Sequence, residues 1–215
     1  MPILLIDVDG TIVNSYPGIR ASFITALKAI EQPIPEEARL RKVPGPQIYD
    51  TLRDLGLDHD TASEGLAAFR ADYREHGWHN ATLFPGWDTL LPRLRQQGYT
   101  LCTATSKNQA LAARTLEHLG VAEHFDFIGG ADVEGGRQGK QAVIQHVLST
   151  VDADPANTPM LMIGDRTHDT EGAAHFSIPT ILVGWGHGEQ EEWDQAFDYA
   201  GDITTLEEKI HGFFN

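Results

Sequence analysis

Residues 3–11 read Ile-Leu-Leu-Ile-Asp-Val-Asp-Gly-Thr. Four apolar residues run directly into two carboxylates, a glycine and a hydroxyl. A short run without charge fits a strand buried on both faces, as in parallel sheets. Similar runs recur at 99–105 (YTLCTAT), 125–130 (FDFIGG), 159–165 (PMLMIGD) and 180–186 (TILVGWG). The segments between them, including 86–98, 108–120 and 140–151, place apolar residues three and four apart, and the first two end in glycine as helices often do. Alternation of strand and helix predicts an α/β fold with a Rossmann-like, doubly wound parallel sheet.

The alternation fails between about residue 14 and residue 83. No convincing strand appears there, while 18–30, 35–43, 46–56 and 60–77 read as helices with Pro or Asp near their starts. The expected organisation is a core formed by 1–14 and 84–215, with an all-helical domain, 15–83, inserted after the first strand. Hinges are expected near 14–17 and 84–86.

Charge narrows the partners. A formal net charge of −15 repels a nucleic-acid backbone or anionic lipid, and no run of Lys or Arg offsets it, so no nucleic-acid polymer is expected. No long uncharged apolar run could cross a bilayer, and no membrane association is expected. The opening MPILLIDVDG lacks the basic start of a signal peptide and reads as a core strand. One cysteine, Cys102, allows no intramolecular disulfide, and a cytoplasmic protein is expected, as a monomer or homodimer. The same charge repels a small phosphorylated metabolite, which therefore needs a metal ion or a local cationic pocket.

In open α/β sheets ligands bind beyond the carboxyl ends of the strands. Those ends are unusually polar here: Asp7-Val8-Asp9-Gly10-Thr11, Thr105-Ser106-Lys107, and Gly164-Asp165-Arg166-Thr167-His168-Asp169. Lys140 opens a helix after the glycine-rich stretch 135–139. Two carboxylates two residues apart on a strand point the same way, and at roughly 4 Å with an effective dielectric near 20 they repel by about 4 kcal/mol. With Asp165 and Asp169, four acids surround one strand end, which calls for a bound cation. Few, hard oxygen ligands suit Mg²⁺, which keeps several waters and shares its shell with a phosphate.

This order of motifs (DVDGT, a strand-end Thr, a Lys, then GDRTHD) resembles the haloacid dehalogenase superfamily over nearly the whole chain, with the helical insertion where that family carries its cap. ATSK, GDRTHD and WGHG followed by acidic residues resemble its phosphoglycolate phosphatase-like branch. The resemblance implies that Asp7 is the nucleophile, forming an aspartyl phosphate, and that Asp9 protonates the leaving alkoxide and later deprotonates water. It implies Mg²⁺ held by Asp7, Asp165 and the Asp9 carbonyl, with Asp169 behind them orienting Lys140 or a metal-bound water. Thr105, the amide of Ser106, and Lys140 would hold the phosphoryl oxygens.

An alkoxide needs an acid and a halide does not, so Asp9 favours a phosphatase over a dehalogenase. A phosphonatase would need a Schiff-base lysine from the cap; Lys28 and Lys42 stand in no such pattern. The cap in this family chooses the leaving group, which nominates Arg20, Arg41, and Gly45 and Gln47 of the turn 45–47 as substrate residues. The expected reaction is Mg²⁺-dependent hydrolysis of a small phosphate monoester such as phosphoglycolate. The rivals are a nucleoside monophosphate nucleotidase, a sugar-phosphate mutase, and a regulatory protein phosphorylated on aspartate without turnover. His76 and His79 read as exposed, Cys102 as a buried small hydrophobe, and Trp78, Trp87, Trp185 and Trp193 as packing residues.

Overall fold

The computed structural model describes residues 1–45, 47–132 and 134–215. The chain divides into two compact units, one made of 1–13 with 83–215 and the other of 14–82.

The first unit is built on a six-stranded sheet in the order β5-β4-β1-β6-β7-β8. Its strands are β1 (Ile3–Ile6), β4 (Thr100–Asn108), β5 (Phe127–Ala131), β6 (Met160–Gly164), β7 (Thr180–Val183) and β8 (Asp198–Ala200). Every pairing in it is parallel. Two-residue strands β2 (Val13–Asn14) and β3 (Thr82–Leu83) pair separately. Helices α5 (Trp87–Gln96), α6 (Gln109–His118), α7 (Gly139–Thr150), α8 (Thr167–Ala174), α9 (Gln190–Trp193) and α10 (Ile203–Phe214) complete this unit.

All four residues of β1 are buried, as the uncharged run requires. Leu5 lies in a core cluster with Cys102, Val143, Ile144, Val147 and Met162, which packs α7 against the sheet. Ile6 pairs with Thr103 on one side and Ile163 on the other, so β1 ends level with both neighbours. From β1 the chain first builds outward through β4 and β5, then returns to build β6, β7 and β8 on the opposite side. The carboxyl end of β1 is thus the switch point where a doubly wound sheet opens a crevice.

The second unit contains α1 (Tyr16–Ala29), α2 (Glu37–Leu40), α3 (Ile48–Asp54) and α4 (His59–Glu75). Pro17 occupies the first turn of α1, where its missing N–H removes no hydrogen bond. Asp58 caps α4 by accepting from Thr61 N at 2.8 Å.

The sequence pattern misses three strands. β8 spans three residues, and β2 and β3 two each, inside or beside the stretch expected to be purely helical. Such segments are too short to display a period of two.

Candidate active site

Asp7 follows β1 directly and is 3% exposed. Its N–H donates to Ile163 O at 2.9 Å, carrying the strand ladder one residue further. The chain then folds back sharply, with Val8 O accepting from Ile12 N at 3.0 Å and Val13 N at 2.8 Å. Gly10 makes the bend at φ +85°, and a Cβ there would strike the Asp165 carboxylate. Only glycine lets the two loops approach this closely.

Lys140 comes from the first turn of α7 and is buried. Its Nζ donates to Ala104 O at 2.7 Å and forms ion pairs with Asp7 Oδ1 at 2.9 Å and Asp169 Oδ1 at 2.6 Å. Burial works against the ammonium, but Asp169 and Asp7 outweigh it and raise its pKa. Burial likewise works against the Asp169 carboxylate, yet Lys140 and His168 keep its pKa below the ordinary range. The second oxygen of Asp169 accepts from Asp165 N and Arg166 N, both at 3.1 Å. That is the reciprocal half of a capping box on α8, so Asp169 both caps its helix and holds the lysine.

Asp165, at the end of β6, is 1% exposed and differs from its neighbours. One hydrogen bond reaches its carboxylate, from His187 N to Oδ2 at 2.8 Å, and among the described residues it has no ion pair with Lys or Arg. Burial, then Asp169 and Asp7, push its pKa well above the usual carboxylate range. A hard divalent cation beside Asp165 and Asp7 would remove that penalty, so the donor set fits one. Among the described residues, the ligand atoms of Asp7, His168 and Asp169 also lie within 4.8 Å of one another. Lys140 already supplies a cation to two of that group.

Asp9 is less buried, with its side chain 24% exposed, and Lys107 Nζ approaches its two oxygens at 3.1 and 3.2 Å. Lys107 lies where the register of β4 against β5 slips between Thr105 and Asn108. Thr105 is buried and its Oγ1 accepts from Lys107 N at 3.2 Å, while Ser106 is exposed.

A model of the haloacid dehalogenase-like hydrolases matches residues 4–183. The chain belongs to that family. Tyrosine-protein kinase PtkA of Mycobacterium tuberculosis is 40% identical over 212 residues, covering 97% of this chain and 72% of its own. A 5'-nucleotidase of Pseudomonas aeruginosa is 33% identical, covering 97% and 95%. A phosphoglycolate phosphatase of Neisseria gonorrhoeae is 28% identical, covering 96% and 87%. Among solved structures, a predicted phosphatase from Clostridium acetobutylicum superposes with a TM-score of 0.90 at 28% identity, covering 98% of each chain. This haloacid dehalogenase-like hydrolase is an enzyme of the phosphatase class.

In this hydrolase the structure brings Asp7, Asp165, Asp169 and Lys140 to one place, with Asp9 on the turn after β1 and Thr105 within β4. The nominated residues of the helical unit have local partners of their own. Arg20 donates from Nε and Nη2 to Glu37, with the shortest contact at 2.7 Å, and Tyr16 Oη donates to the same carboxylate at 2.5 Å. Those bonds, Arg20 first and Tyr16 next, bring Glu37 down to a pKa of about 2. Arg41 stands 5.9 Å from the centre of the Tyr16 ring. Gly45 has φ +104°, Gln47 precedes α3, and Pro46 lies outside the described residues.

Sequence reasoning notes the motif in the loop after β7 but assigns its residues no role in the site. Trp185, read as packing, donates from Nε1 to Thr11 O at 2.9 Å, and Trp87 donates to the same oxygen at 2.9 Å. Glu192 accepts from Thr167 N at 2.9 Å, Thr167 Oγ1 at 2.7 Å, Arg166 Nε at 3.0 Å and Glu189 N at 3.0 Å. Its pKa falls to about 2: burial opposes the charge, and the bonds from Thr167 and Arg166 prevail. The acidic residues after WGHG are the only sequence signal of this clamp.

Proposed function

We propose that this phosphatase hydrolyses a small phosphate monoester through an aspartyl phosphate on Asp7, with Mg²⁺ as its cofactor. The observation that supports this most is the contrast inside the acid cluster: Asp7 and Asp169 share Lys140, Asp9 has Lys107, and buried Asp165 has no ion pair with Lys or Arg among the described residues. Asp7, Asp165 and the main-chain carbonyl of Asp9 would hold Mg²⁺, which when bound supplies positive charge beside the transferring phosphoryl group.

In the first half-reaction an Asp7 oxygen bonds to phosphorus as the ester P–O bond breaks, and Asp9 gives its proton to the leaving oxygen. In the second, Asp9 takes a proton from the water that attacks the phosphorus and releases Asp7. Thr105, the amide of Ser106, and Lys140 hold phosphoryl oxygens, and Asp169 keeps Lys140 in place. The helical unit, proposed as a cap domain over 15–83, would choose the leaving group through Arg20, Arg41, Gly45 and Gln47.

Phosphoglycolate is the first candidate substrate. A nucleoside monophosphate is favoured by the greater likeness to a 5'-nucleotidase, which spans nearly the whole of both chains. The relative named as a tyrosine-protein kinase adds a tyrosine-containing acceptor to the test.

The deciding assay is phosphate release from phosphoglycolate, nucleoside monophosphates, sugar phosphates, phosphotyrosine peptide and p-nitrophenyl phosphate, with Mg²⁺ or EDTA, for wild type and Asp7→Asn. Mg²⁺-dependent release that Asp7→Asn abolishes is expected. Release that persists in folded Asp7→Asn would reject the aspartyl-phosphate route. Absence of release by wild type, with transfer from ATP to a tyrosine peptide, would replace water by a hydroxyl acceptor.

A further inference from the structure

The segment 185–188, Trp-Gly-His-Gly, is fastened to the acid cluster along its whole length. Trp185 Nε1 donates to Thr11 O at 2.9 Å, and His187 N donates to Asp165 Oδ2 at 2.8 Å. A Cβ on Gly186 would strike the Asp165 side chain, and one on Gly188 its main chain. Glu192 then ties the following turn to Arg166 and Thr167. With its backbone held so closely, the His187 imidazole is confined to a small region.

The ring ends there without a partner. His187 Nε2 is buried and makes no hydrogen bond among the described residues. The charges of Asp9, Arg166 and Asp7 all act on the ring, and its loop meets the backbone next to Asp9, where a Cβ on Gly186 would strike Gly10 O. A buried polar nitrogen left unpaired carries a desolvation cost that a bound polar group relieves. A substrate bound at Asp7 would bring one such group to this loop, the ester oxygen that leaves.

We propose that His187 is a substrate contact for the leaving group, its Nε2 hydrogen-bonding the ester oxygen on which Asp9 acts. This rests on the reading of Asp9 as the leaving-group acid. The covalent step is unchanged: the bond from Asp7 to phosphorus forms, the ester P–O bond breaks, and the proton goes from Asp9 to the leaving oxygen. His187 transfers no proton; it stabilises the negative charge that grows on that oxygen. The ligand class is an alkyl phosphate, whose poor leaving group gains most from such a bond.

Substitution separates this role from support of Asp165, because the main-chain N–H that reaches Asp165 survives any change except proline. The test uses the full chain with Mg²⁺, as wild type, His187→Leu, His187→Ala and His187→Gln, against phosphoglycolate, AMP and p-nitrophenyl phosphate. The p-nitrophenolate ion departs with little help. For whichever alkyl phosphate wild type prefers, kcat/KM is expected to fall about tenfold or more in the Leu and Ala variants. With p-nitrophenyl phosphate the loss stays within about threefold, and His187→Gln recovers part of the alkyl phosphate activity.

An equal loss on both kinds of ester, or a weakened response to Mg²⁺ titration that accounts for the loss, would assign His187 a structural role and overturn the proposal. So would unchanged kinetics. If wild type releases phosphate from none of the three, the reading of Asp9 has failed and this inference falls with it.

Discussion

Two of the clusters that set cations against carboxylates differ in their access to water. In the helical unit, Arg20 and Tyr16 meet Glu37 at the surface, with side-chain exposures of 38% for Arg20 and 46% for Glu37. At the end of β1, Lys140, Asp7 and Asp169 meet with exposures of 2%, 5% and 0%. The exposed cluster has short, bidentate geometry, yet each partner would be well solvated without the other. The buried cluster has no such alternative, so its pairing determines whether the fold tolerates it. A short ion-pair distance alone does not distinguish an energetic centre from surface ornament.

Breaking the buried lysine should have the largest effect. Lys140→Met leaves Asp7 and Asp169 without their cation and is expected to cost about 3–5 kcal/mol of stability, read from urea unfolding midpoints. Turnover should fall with it, and Asp7→Asn in the same background should recover part of the stability without recovering turnover.

Asp165 should show the opposite sign. Its folded pKa is raised, so the protein loses stability as pH rises above the unfolded value near 3.8. Asp165→Asn removes that charge and is expected to stabilise the protein in EDTA at pH 7 by about 2 kcal/mol. In excess Mg²⁺ wild type gains and the variant does not, so the two unfolding curves should draw together or cross. A variant less stable than wild type in EDTA would mean that Asp165 has no need of a cation.

Glu192 lies between the two extremes, part-exposed but with several donors. Its folded pKa is lowered to about 2 from 4.5, so its contribution is complete above 4.5 and is lost as pH falls towards 2. Glu192→Gln is expected to cost about 1 kcal/mol at pH 7, and the difference from wild type should shrink through that acid window. Equal spacing of the two stability curves from pH 5 to pH 2.5 would show that the carboxylate's charge does not contribute. The smallest effect belongs to Arg20→Ala, which should leave the unfolding midpoint unchanged within error; a clear drop would erase the distinction between the clusters.

The chemistry-bearing strand ends were legible in the sequence because β1 and β6 are uniform apolar runs that stop abruptly at polar residues, and β4 turns from a mostly apolar run to Ser106, Lys107 and Asn108. The carboxyl-end rule then sends Asp7, Thr105 and Asp165 to one side of the sheet before any coordinate is known. Lys107 is hidden for a geometric reason: a register slip in β4 turns it towards Asp9, and no periodicity encodes a slip. His187 and Glu192 are hidden because their partners are 22 to 26 residues away, across a helix and a strand. The Arg20–Glu37 pair escapes notice because it joins separate helices, α1 and α2, 17 residues apart. In each case the missing information is which loops touch, a property of packing that local patterns do not contain.

One carbonyl offers a further use. Thr11 O is the common acceptor for the indole N–H groups of Trp87 and Trp185, so two of the four tryptophans are attached to the turn that follows Asp7. Indole emission is sensitive to the environment of that N–H. A chain with Trp78 and Trp193 changed to Phe would therefore carry a built-in optical probe of the turn after Asp7, able to follow the proposed phosphorylation of Asp7 in real time without an added label.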